Sequence, residues 1–204
     1  MSTSRQSQAL ATRQRLVDVA TTLFATHGFA SVTTTSLSET AGVTRGALYH
    51  HFANMGEVME AVFERAEGAL VDEVDRALGT LTSSRERLLE LGPVTLDVLL
   101  REPVIQRIVF VEGPAALGWT RWRALDGGRS VRMIEELLAD LQRSDELVSG
   151  ADPRTTAQLI LGAINEGGMQ AAALPAEQSE KTAGQLRLLC SGLLIRREGL
   201  SHDE

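Results

Sequence analysis

Residues 33–52, TTTSLSETAGVTRGALYHHF, form the stretch that decides the fold of this chain. The pattern predicts two short helices, the first over about 34–40 with Leu37 as its buried residue. Gly42 lies in the turn between them, where its missing side chain permits a positive φ. Thr44 is a good N-cap for the second helix. Two helices joined by a glycine-containing turn are typical of the DNA-reading helix-turn-helix.

The flanking sequence predicts a helix on each side of this stretch. Before it, apolar residues recur at i, i+3, i+4, i+7 and i+8 from Leu16 to Phe24, which indicates an amphipathic helix over 12–27 that ends at Gly28. We expect residues 1–11 to be frayed. After it, Asn54 and Glu57 form a capping-box pattern that opens a long helix to about residue 81.

The remainder of the chain predicts further helices and no strand. A second capping-box pattern at residues 83–86 opens a helix that contains Gly92 and Pro93, and Pro103 starts another that stops at Gly113. Asp152 is the expected N-cap of a helix to about residue 173. The other predicted helices cover 114–126, about 131–141 and about 177–198. The chain is therefore expected to be all-α, with a domain at 10–56 and a second at 57–204.

Composition excludes several classes of protein. The 43% apolar fraction fits a folded chain, and the single cysteine, Cys190, excludes an intrachain disulfide and paired-cysteine metal sites. The N-terminal residues lack the apolar core of a signal peptide, and no run reaches the roughly 18 apolar residues of a membrane span. We expect a cytoplasmic protein with no membrane partner, no cofactor and no metal.

Charge is distributed unevenly along the chain. The net charge is −7, but residues 1–55 contain four arginines against two acidic side chains, a net charge of +2, and the rest therefore carries −9. A mildly basic head on an acidic body suits a protein whose small N-terminal part contacts DNA.

Taken together, the motifs resemble the tetracycline-repressor (TetR/AcrR) family of one-component regulators. The resemblance is carried by an amphipathic helix that ends in His-Gly-Phe, by AGVTRGALYHHF, and by the long helix that follows. It is close over about residues 10–60 and architectural beyond them. It implies a three-helix DNA-binding head joined by a long helix to an effector-binding and dimerising helical body.

The predicted DNA face uses hydroxyl, basic and aromatic side chains. Arg45 can reach a base edge or a phosphate, and Gly46 allows the second short helix to approach the groove closely. The threonines offer hydroxyls to phosphates, and the resemblance implies that Tyr49 and His50 face the backbone or the groove wall. The full set is Thr34, Thr35, Thr44, Arg45, Gly46, Tyr49 and His50. Thr35 and Met55 stand where the family often has charged residues, so we expect a weaker non-specific, salt-dependent affinity.

A second set of residues is the predicted lining of an effector pocket. Aromatic side chains with a few polar groups suit a ligand cavity inside a helical body, although an ordinary core is the alternative for each of them. Glu112 could also pair with Arg107, Arg121 or Arg123. The candidates are Leu96, Leu100, Phe110, Glu112, Trp119, Trp122, Met133, Leu137, Asn165 and Met169.

The last two predicted helices are the expected dimer interface. One is rich in small residues and the other carries an apolar stripe, which suits a four-helix contact across a two-fold axis. An intramolecular helix pair is the alternative. The interface candidates are Gly162, Gly167, Ala171, Leu186, Leu189, Cys190 and Leu193.

No catalytic motif is present in the sequence. There is no phosphate-binding glycine loop, nucleophile elbow or distinctive carboxylate pair, so we expect no enzyme. The sequence favours a repressor that binds a palindromic operator as a homodimer and is released by a small-molecule effector. The alternatives are a ligand-independent regulator or activator, and a helical ligand-binding or adaptor protein without DNA binding.

Overall fold

The computed structural model describes residues 2–174 and 176–195, with side chains from residue 6 onward except that of residue 176. These residues are helical, apart from turns and one isolated antiparallel bridge between Leu147 and Leu194. The all-α class is therefore confirmed. The helices are α1 (Ser2–His27), α2 (Thr34–Thr40), α3 (Arg45–His51), α4 (Met55–Leu78), α5 (Ser84–Arg101), α6 (Pro103–Arg107), α7 (Gly113–Leu117), α8 (Trp119–Asp126), α9 (Arg129–Arg143), α10 (Pro153–Ala173) and α11 (Ala176–Ser191).

Two short segments between the α-helices have other helical geometry. A 3₁₀ turn, Phe29–Ser31, lies between α1 and α2, and a π-helical turn, Ile108–Glu112, joins α6 to α7. Within the described residues, no helix is long and apolar enough to cross a membrane.

The chain folds as two compact units. The first contains the residues up to Asp72 together with Val98–Gly128, and the second contains Glu73–Asp97 together with the residues from Arg129 onward. The whole predicted head, residues 10–56, belongs to the first unit. The predicted domain limits of 10–56 and 57–204 stay a prediction. Fully buried side chains that form the core of the first unit include Leu16, Phe24, Leu37, Leu48, Phe63 and Trp122.

Helix α1 begins at Ser2, so the prediction that residues 1–11 are frayed is wrong for the described part of that segment. Arginine, glutamine, alanine and leucine are good helix formers and dominate residues 5–16. The amphipathic pattern begins later because residues 6–11 are mostly exposed, Leu10 at 69%.

Gly113 does not stop a helix as predicted. Helical backbone continues through it to Leu117, and the break comes at Gly118, which has φ 74°. A Cβ on Gly113 would lie 2.8 Å from the Ile108 carbonyl oxygen and 2.8 Å from Phe63 Cδ2. Glycine is therefore needed here for close packing, and the predicted helix 114–126 is instead divided between α7 and α8.

The last helix ends at Ser191 rather than at about residue 198. The backbone after it bonds to the segment between α9 and α10, with Val148 N donating to Leu193 O at 2.9 Å and Ile195 N donating to Glu146 O at 2.9 Å. These bonds take the place of a further helical turn. The final predicted positions, 196–198, lie outside the described residues.

Gly92 lets two helices of the second unit touch. A Cβ added to Gly92 in α5 would lie 2.6 Å from the Cβ of Leu186 in α11, a distance that requires backbone movement. We expect Gly92→Ala to lower the free energy of unfolding by about 1–3 kcal/mol, because overpacking outweighs the gain in helix propensity. Urea denaturation at one fixed protein concentration measures this.

Gly184→Ala is the matched control for Gly92→Ala. A Cβ at Gly184 in α11 would meet nothing within 4 Å. We expect this substitution to leave stability unchanged or to raise it by up to about 1 kcal/mol. Equal effects of the two substitutions would contradict the close packing of α5 on α11.

Candidate nucleic-acid interface

Helix α2 is fixed at its start by a capping box. Ser36 N donates to Thr33 Oγ1 at 3.1 Å, and Thr33 N donates to Ser36 Oγ at 3.0 Å. Leu37 is fully buried and anchors the helix to the core. The cap satisfies backbone donors at the helix start, and the apolar anchor sets which face of α2 remains outside.

The turn and helix α3 follow the predicted geometry. Gly42 has φ 65°, a conformation that glycine adopts without strain. Thr44 caps α3 by accepting a hydrogen bond from Ala47 N at 3.1 Å, and Leu48 is fully buried. The predicted helix-turn-helix is therefore present, with one face of α3 buried and the other in solvent.

The exposed face carries the residues predicted to contact DNA. Thr35, Thr44, Arg45, Gly46 and His50 are exposed. Tyr49 is 47% exposed and Thr34 is half-buried.

Tyr49 links α2 to α3 on this face. Hydrogen bonds with the side chains of Thr34 and Arg45 lower the pKa of Tyr49 below its usual value. The three side chains therefore form one cluster on the exposed face. Thr44 has its oxygen occupied as an acceptor in the cap, and its hydroxyl proton remains a donor suited to phosphate.

Gly46 is not required by the packing of the chain itself. An added Cβ would meet only Thr44 Oγ1, at the ordinary contact distance of 3.8 Å. Close approach to a groove stays a prediction for this residue.

The two adjacent histidines have different surroundings. His50 is exposed, whereas His51 is partly buried. Burial lowers the pKa of His51, and the positive charges of His50 and Arg13 lower it further. Arg13 also stacks on Phe52, with its guanidinium carbon 5.0 Å from the ring centroid. Arg13 thus adds a positive charge at the end of α3 that the sequence analysis did not select. Its only signal in the sequence was its place among the arginines of the head.

The predicted effector residues are divided between the two units. Leu100, Phe110, Glu112, Trp119 and Trp122 belong to the first unit. Leu96, Met133, Leu137, Asn165 and Met169 belong to the second unit. Met133 and Leu137 line a small cavity of about 140 Å³ in the second unit, and Leu96 packs near Gly167.

Both tryptophans have structural partners within the chain. Trp122 is fully buried, and its indole N–H donates to Val109 O at 2.9 Å. Trp119 is 65% exposed, with its ring 5.2 Å from that of Trp122 and the Arg123 guanidinium 5.8 Å away. A role in effector binding stays a prediction for both residues.

Glu112 is buried and pairs with an arginine, which the sequence analysis gave as the alternative to an effector contact. Its carboxylate accepts hydrogen bonds from Arg107 at 2.9 Å and from the backbone N–H of Phe29 at 2.8 Å. The other two candidate arginines have different partners, since Arg121 binds Glu60 with two hydrogen bonds and Arg123 pairs with Asp126.

Helices α10 and α11 form an apolar groove in the second unit. Its cavity is about 350 Å³, and Leu159, at 70% exposure, and Leu189, at 63%, stand at its rim. Leu188 on α11 is also 63% exposed. The groove is lined by Gly92, Thr156, Leu159, Ile160, Ala163, Ile164, Leu186, Leu189, Cys190 and Leu193.

The predicted interface residues therefore take different places. Leu186 and Cys190 are buried, and Leu189 and Leu193 line the groove. Gly167 instead serves the intrachain contact between α10 and α11, because its Cβ would lie 3.2 Å from Thr182 Cγ2.

The remaining two interface candidates, Gly162 and Ala171, lie on α10. A Cβ on Gly162 would meet nothing within 4 Å, and Ala171 is partly buried. Among the residues that the structure describes, none therefore packs closely against Gly162.

Known protein families match both the N-terminal helix-turn-helix region and the C-terminal helical region of the chain. The profile of the family described as "Bacterial regulatory proteins, tetR family" matches residues 16–62, and that of the "Tetracyclin repressor-like, C-terminal domain" matches residues 96–193. The chain belongs to the TetR family. The resemblance inferred from the helix-turn-helix is therefore confirmed, and the matched range 16–62 contains every predicted DNA-contacting residue of this TetR-family protein.

Individual relatives agree with the assignment. This TetR-family protein is 30% identical over 128 residues to the nucleoid occlusion factor SlmA of Marinobacter nauticus, a match that covers 63% of the chain and 65% of the relative. It is 32% identical over 99 residues to the transcriptional repressor KstR2 of Mycolicibacterium smegmatis, covering 48% of each. The chain thus spans about half to just under two thirds of these curated relatives.

A solved structure extends the likeness over nearly the whole chain. A TetR-family transcriptional regulator from Pectobacterium atrosepticum superposes with a TM-score of 0.80 at 28% identity. The match covers 94% of this chain and 98% of the other.

The thiol of this TetR-family protein, Cys190, is buried in the lining of the groove. Burial raises the pKa of Cys190 to about 11, which leaves on the order of one thiol in 10⁴ ionised at pH 7. We expect native protein to react with iodoacetamide far more slowly than urea-unfolded protein, with the rate rising about tenfold per pH unit toward pH 11. Native reaction at the rate of a free thiol would contradict this burial.

Proposed function

We propose that this chain is a ligand-responsive transcriptional repressor that binds a palindromic operator as a homodimer, and that it is not an enzyme. The observation that carries the proposal is the exposed face of α3, where Arg45 and Tyr49 stand on a helix held by an N-cap and a buried leucine. Such a face is rigid and polar, and it presents donors outward as base and phosphate recognition requires. The DNA it would bind lies in the cytoplasm, where we place the protein.

The recognition helix is α3, and it enters the major groove. Arg45 at its first turn contacts a base edge or a phosphate. The hydroxyls of Thr35 and Thr44 contact the DNA backbone, together with His50 one turn further along. A single head reads one half-site, so two heads placed roughly one DNA turn apart read a palindrome.

The homodimer forms through α10 and α11. Leu159, Leu188 and Leu189 are each more than 60% exposed along these helices, which is costly for an isolated chain in water. Pairing with the same helices of a second copy covers all three leucines twice, by symmetry. The result is the four-helix contact that the sequence analysis anticipated, with Leu189 and Leu193 in it and Gly167 reserved for the intrachain contact.

Release from DNA follows effector binding to the helical body. Effector and operator affinities are coupled reciprocally, so an effector that weakens DNA binding is itself bound more weakly by the DNA complex. The names of relatives such as the repressor KstR2 support repression over activation. The adaptor alternative predicts a head that binds no DNA.

Selection from a pool of random duplexes tests the DNA-binding proposal without knowledge of the genes it regulates. Wild-type protein is expected to enrich one palindromic sequence, and operator affinity for that duplex is then measured against a shuffled duplex. Small molecules that bind the protein are added next, and at least one is expected to lower operator affinity. Enrichment of no sequence would refute DNA reading, and binding ligands that leave operator affinity unchanged would refute the coupling.

A further inference from the structure

A buried carboxylate ties the π-helical turn to the loop in front of the helix-turn-helix. Glu112 is 8% exposed, and its Oε2 accepts a hydrogen bond from Phe29 N at 2.8 Å. Its Oε1 accepts from Arg107 Nη2 at 2.9 Å. The bond between Glu112 and Phe29 joins residues 83 positions apart in the sequence. The bond from Arg107 holds the Glu112 carboxylate in the orientation that accepts from Phe29.

The loop needs this acceptor because it has none of its own. Phe29 is the first residue of the 3₁₀ turn, and the N-cap position before it is Gly28, which has φ 80° and no side chain to cap the turn. Glu112 therefore supplies the missing cap from another part of the chain. Thr33, the N-cap of α2, follows directly after this turn and Val32. The bond therefore fixes the position of the segment that immediately precedes α2.

The π turn is what brings Glu112 and Arg107 together. In an α-helix, residues i and i+5 lie roughly 140° apart around the axis, whereas a π turn places them alongside each other. Gly113 N donates to Ile108 O across this turn. Pro114 has no N–H to give Phe110 O its ordinary α-helical bond, and this favours the wider turn. The contact to Phe29 therefore depends on the backbone state of residues 108–112.

We propose that Glu112 is the positioning residue through which the segment 103–117 holds the helix-turn-helix in its DNA-binding orientation. The inference rests on the proposed DNA-binding function, because its main test measures operator affinity. It gives the carboxylate a role different from effector binding, since both of its oxygens are used within the chain. A change that converts the π turn to a regular α-helix moves Glu112 away from Phe29 and frees the loop.

The test compares Glu112→Ala with Glu112→Gln on the duplex that wild-type protein selects. Alanine removes the acceptor of the Phe29 N–H, and we expect operator affinity to fall about tenfold or more. Hydrogen exchange of the Phe29 amide and of the α2 amides should rise about tenfold or more as well. Glutamine keeps a carbonyl oxygen for Phe29 but loses the pair with Arg107, so we expect its affinity to fall about three- to tenfold, as for Arg107→Ala and less than for alanine.

Glu60→Ala is the matched control, because it breaks another carboxylate–arginine pair of the same unit. Glu60 accepts two hydrogen bonds from Arg121, at 2.8 and 2.5 Å, and has no bond to the loop. We expect its operator affinity and Phe29 exchange to match wild type. Equal weakening by Glu60→Ala and Glu112→Ala would overturn the positioning role.

Two results with Glu112 variants would also overturn it. One is an alanine variant that keeps wild-type affinity although its Phe29 amide exchanges faster, and the other is equal weakening by alanine and glutamine. If the alanine variant is too unstable to purify, Arg107→Ala replaces it. Arg107→Ala frees the carboxylate and should weaken binding about three- to tenfold, and unchanged affinity and exchange would refute the proposal.

Failure of the proposed function gives a different pattern. Wild-type protein would then select no DNA, yet the exchange of the α2 amides would still report whether Glu112 holds the head. Faster α2 exchange in the alanine variant but not in the glutamine variant supports the positioning role even then. Unchanged α2 exchange overturns it.

Discussion

Arg45→Ala is expected to lower operator affinity by about 1–3 kcal/mol, or roughly 5- to 150-fold. Arg45 is exposed at the first turn of α3 and is the one arginine on the predicted reading face. Thr35 and Met55 occupy positions that often carry charge in the family, so we expect Arg45 to supply an unusually large share of the positive contacts. Titration of the selected duplex at several salt concentrations measures the loss.

The salt dependence also tells which contact Arg45 makes. A base-edge contact predicts relaxed sequence preference at one position, whereas a phosphate contact predicts uniform weakening and a salt slope reduced by about one. Arg132→Ala is the control, because Arg132 is an exposed arginine on α9 in the other unit. Arg45→Ala protein that is folded and binds the duplex as well as Arg132→Ala would show that Arg45 makes no contact that matters for DNA binding.

Leu189→Glu is expected to dissociate the homodimer. Leu189 is 63% exposed in the single chain and lines the groove between α10 and α11. A carboxylate there would be desolvated without a partner, and the two-fold axis would impose that cost twice, so we expect dimer affinity to fall at least about 100-fold. Sedimentation over a range of concentrations measures the association, and operator affinity should fall in parallel because a monomer reads one half-site.

Leu10→Glu is the control for the added charge. Leu10 is 69% exposed on α1 and lies outside the groove. The association of this variant should match wild type. A Leu189→Glu variant that sediments as wild type does would show that the groove is not the dimer interface.

The helix-turn-helix could be predicted almost residue by residue because its signals are local. Thr33 and Thr44 are N-caps at the starts of α2 and α3. Gly42 has the positive φ in the turn between them. Leu37 and Leu48 mark the buried faces of the two helices. Each feature depends on neighbours within four residues. A pattern of this kind needs no knowledge of the rest of the chain.

The bond between Glu112 and Phe29 could not be predicted, because it spans 83 residues and is set by tertiary structure. Arg107 was one of three arginines that the sequence offered as partners of Glu112, and the choice among them depends on a π turn that periodicity does not reveal. The prediction that Gly113 ends a helix was wrong for the same reason. A glycine required for close packing against Phe63 cannot be told in the sequence from a glycine that ends a helix, because only the tertiary structure shows the contact.

The composition of the complex between the protein and its selected duplex tests the central claim most directly. Native mass spectrometry counts the chains on the duplex, and hydroxyl-radical footprinting locates the protected sugars. The account predicts two chains per duplex and two symmetric protected regions roughly one DNA turn apart. One chain on a single protected region, or protection that does not depend on the selected sequence, would contradict it.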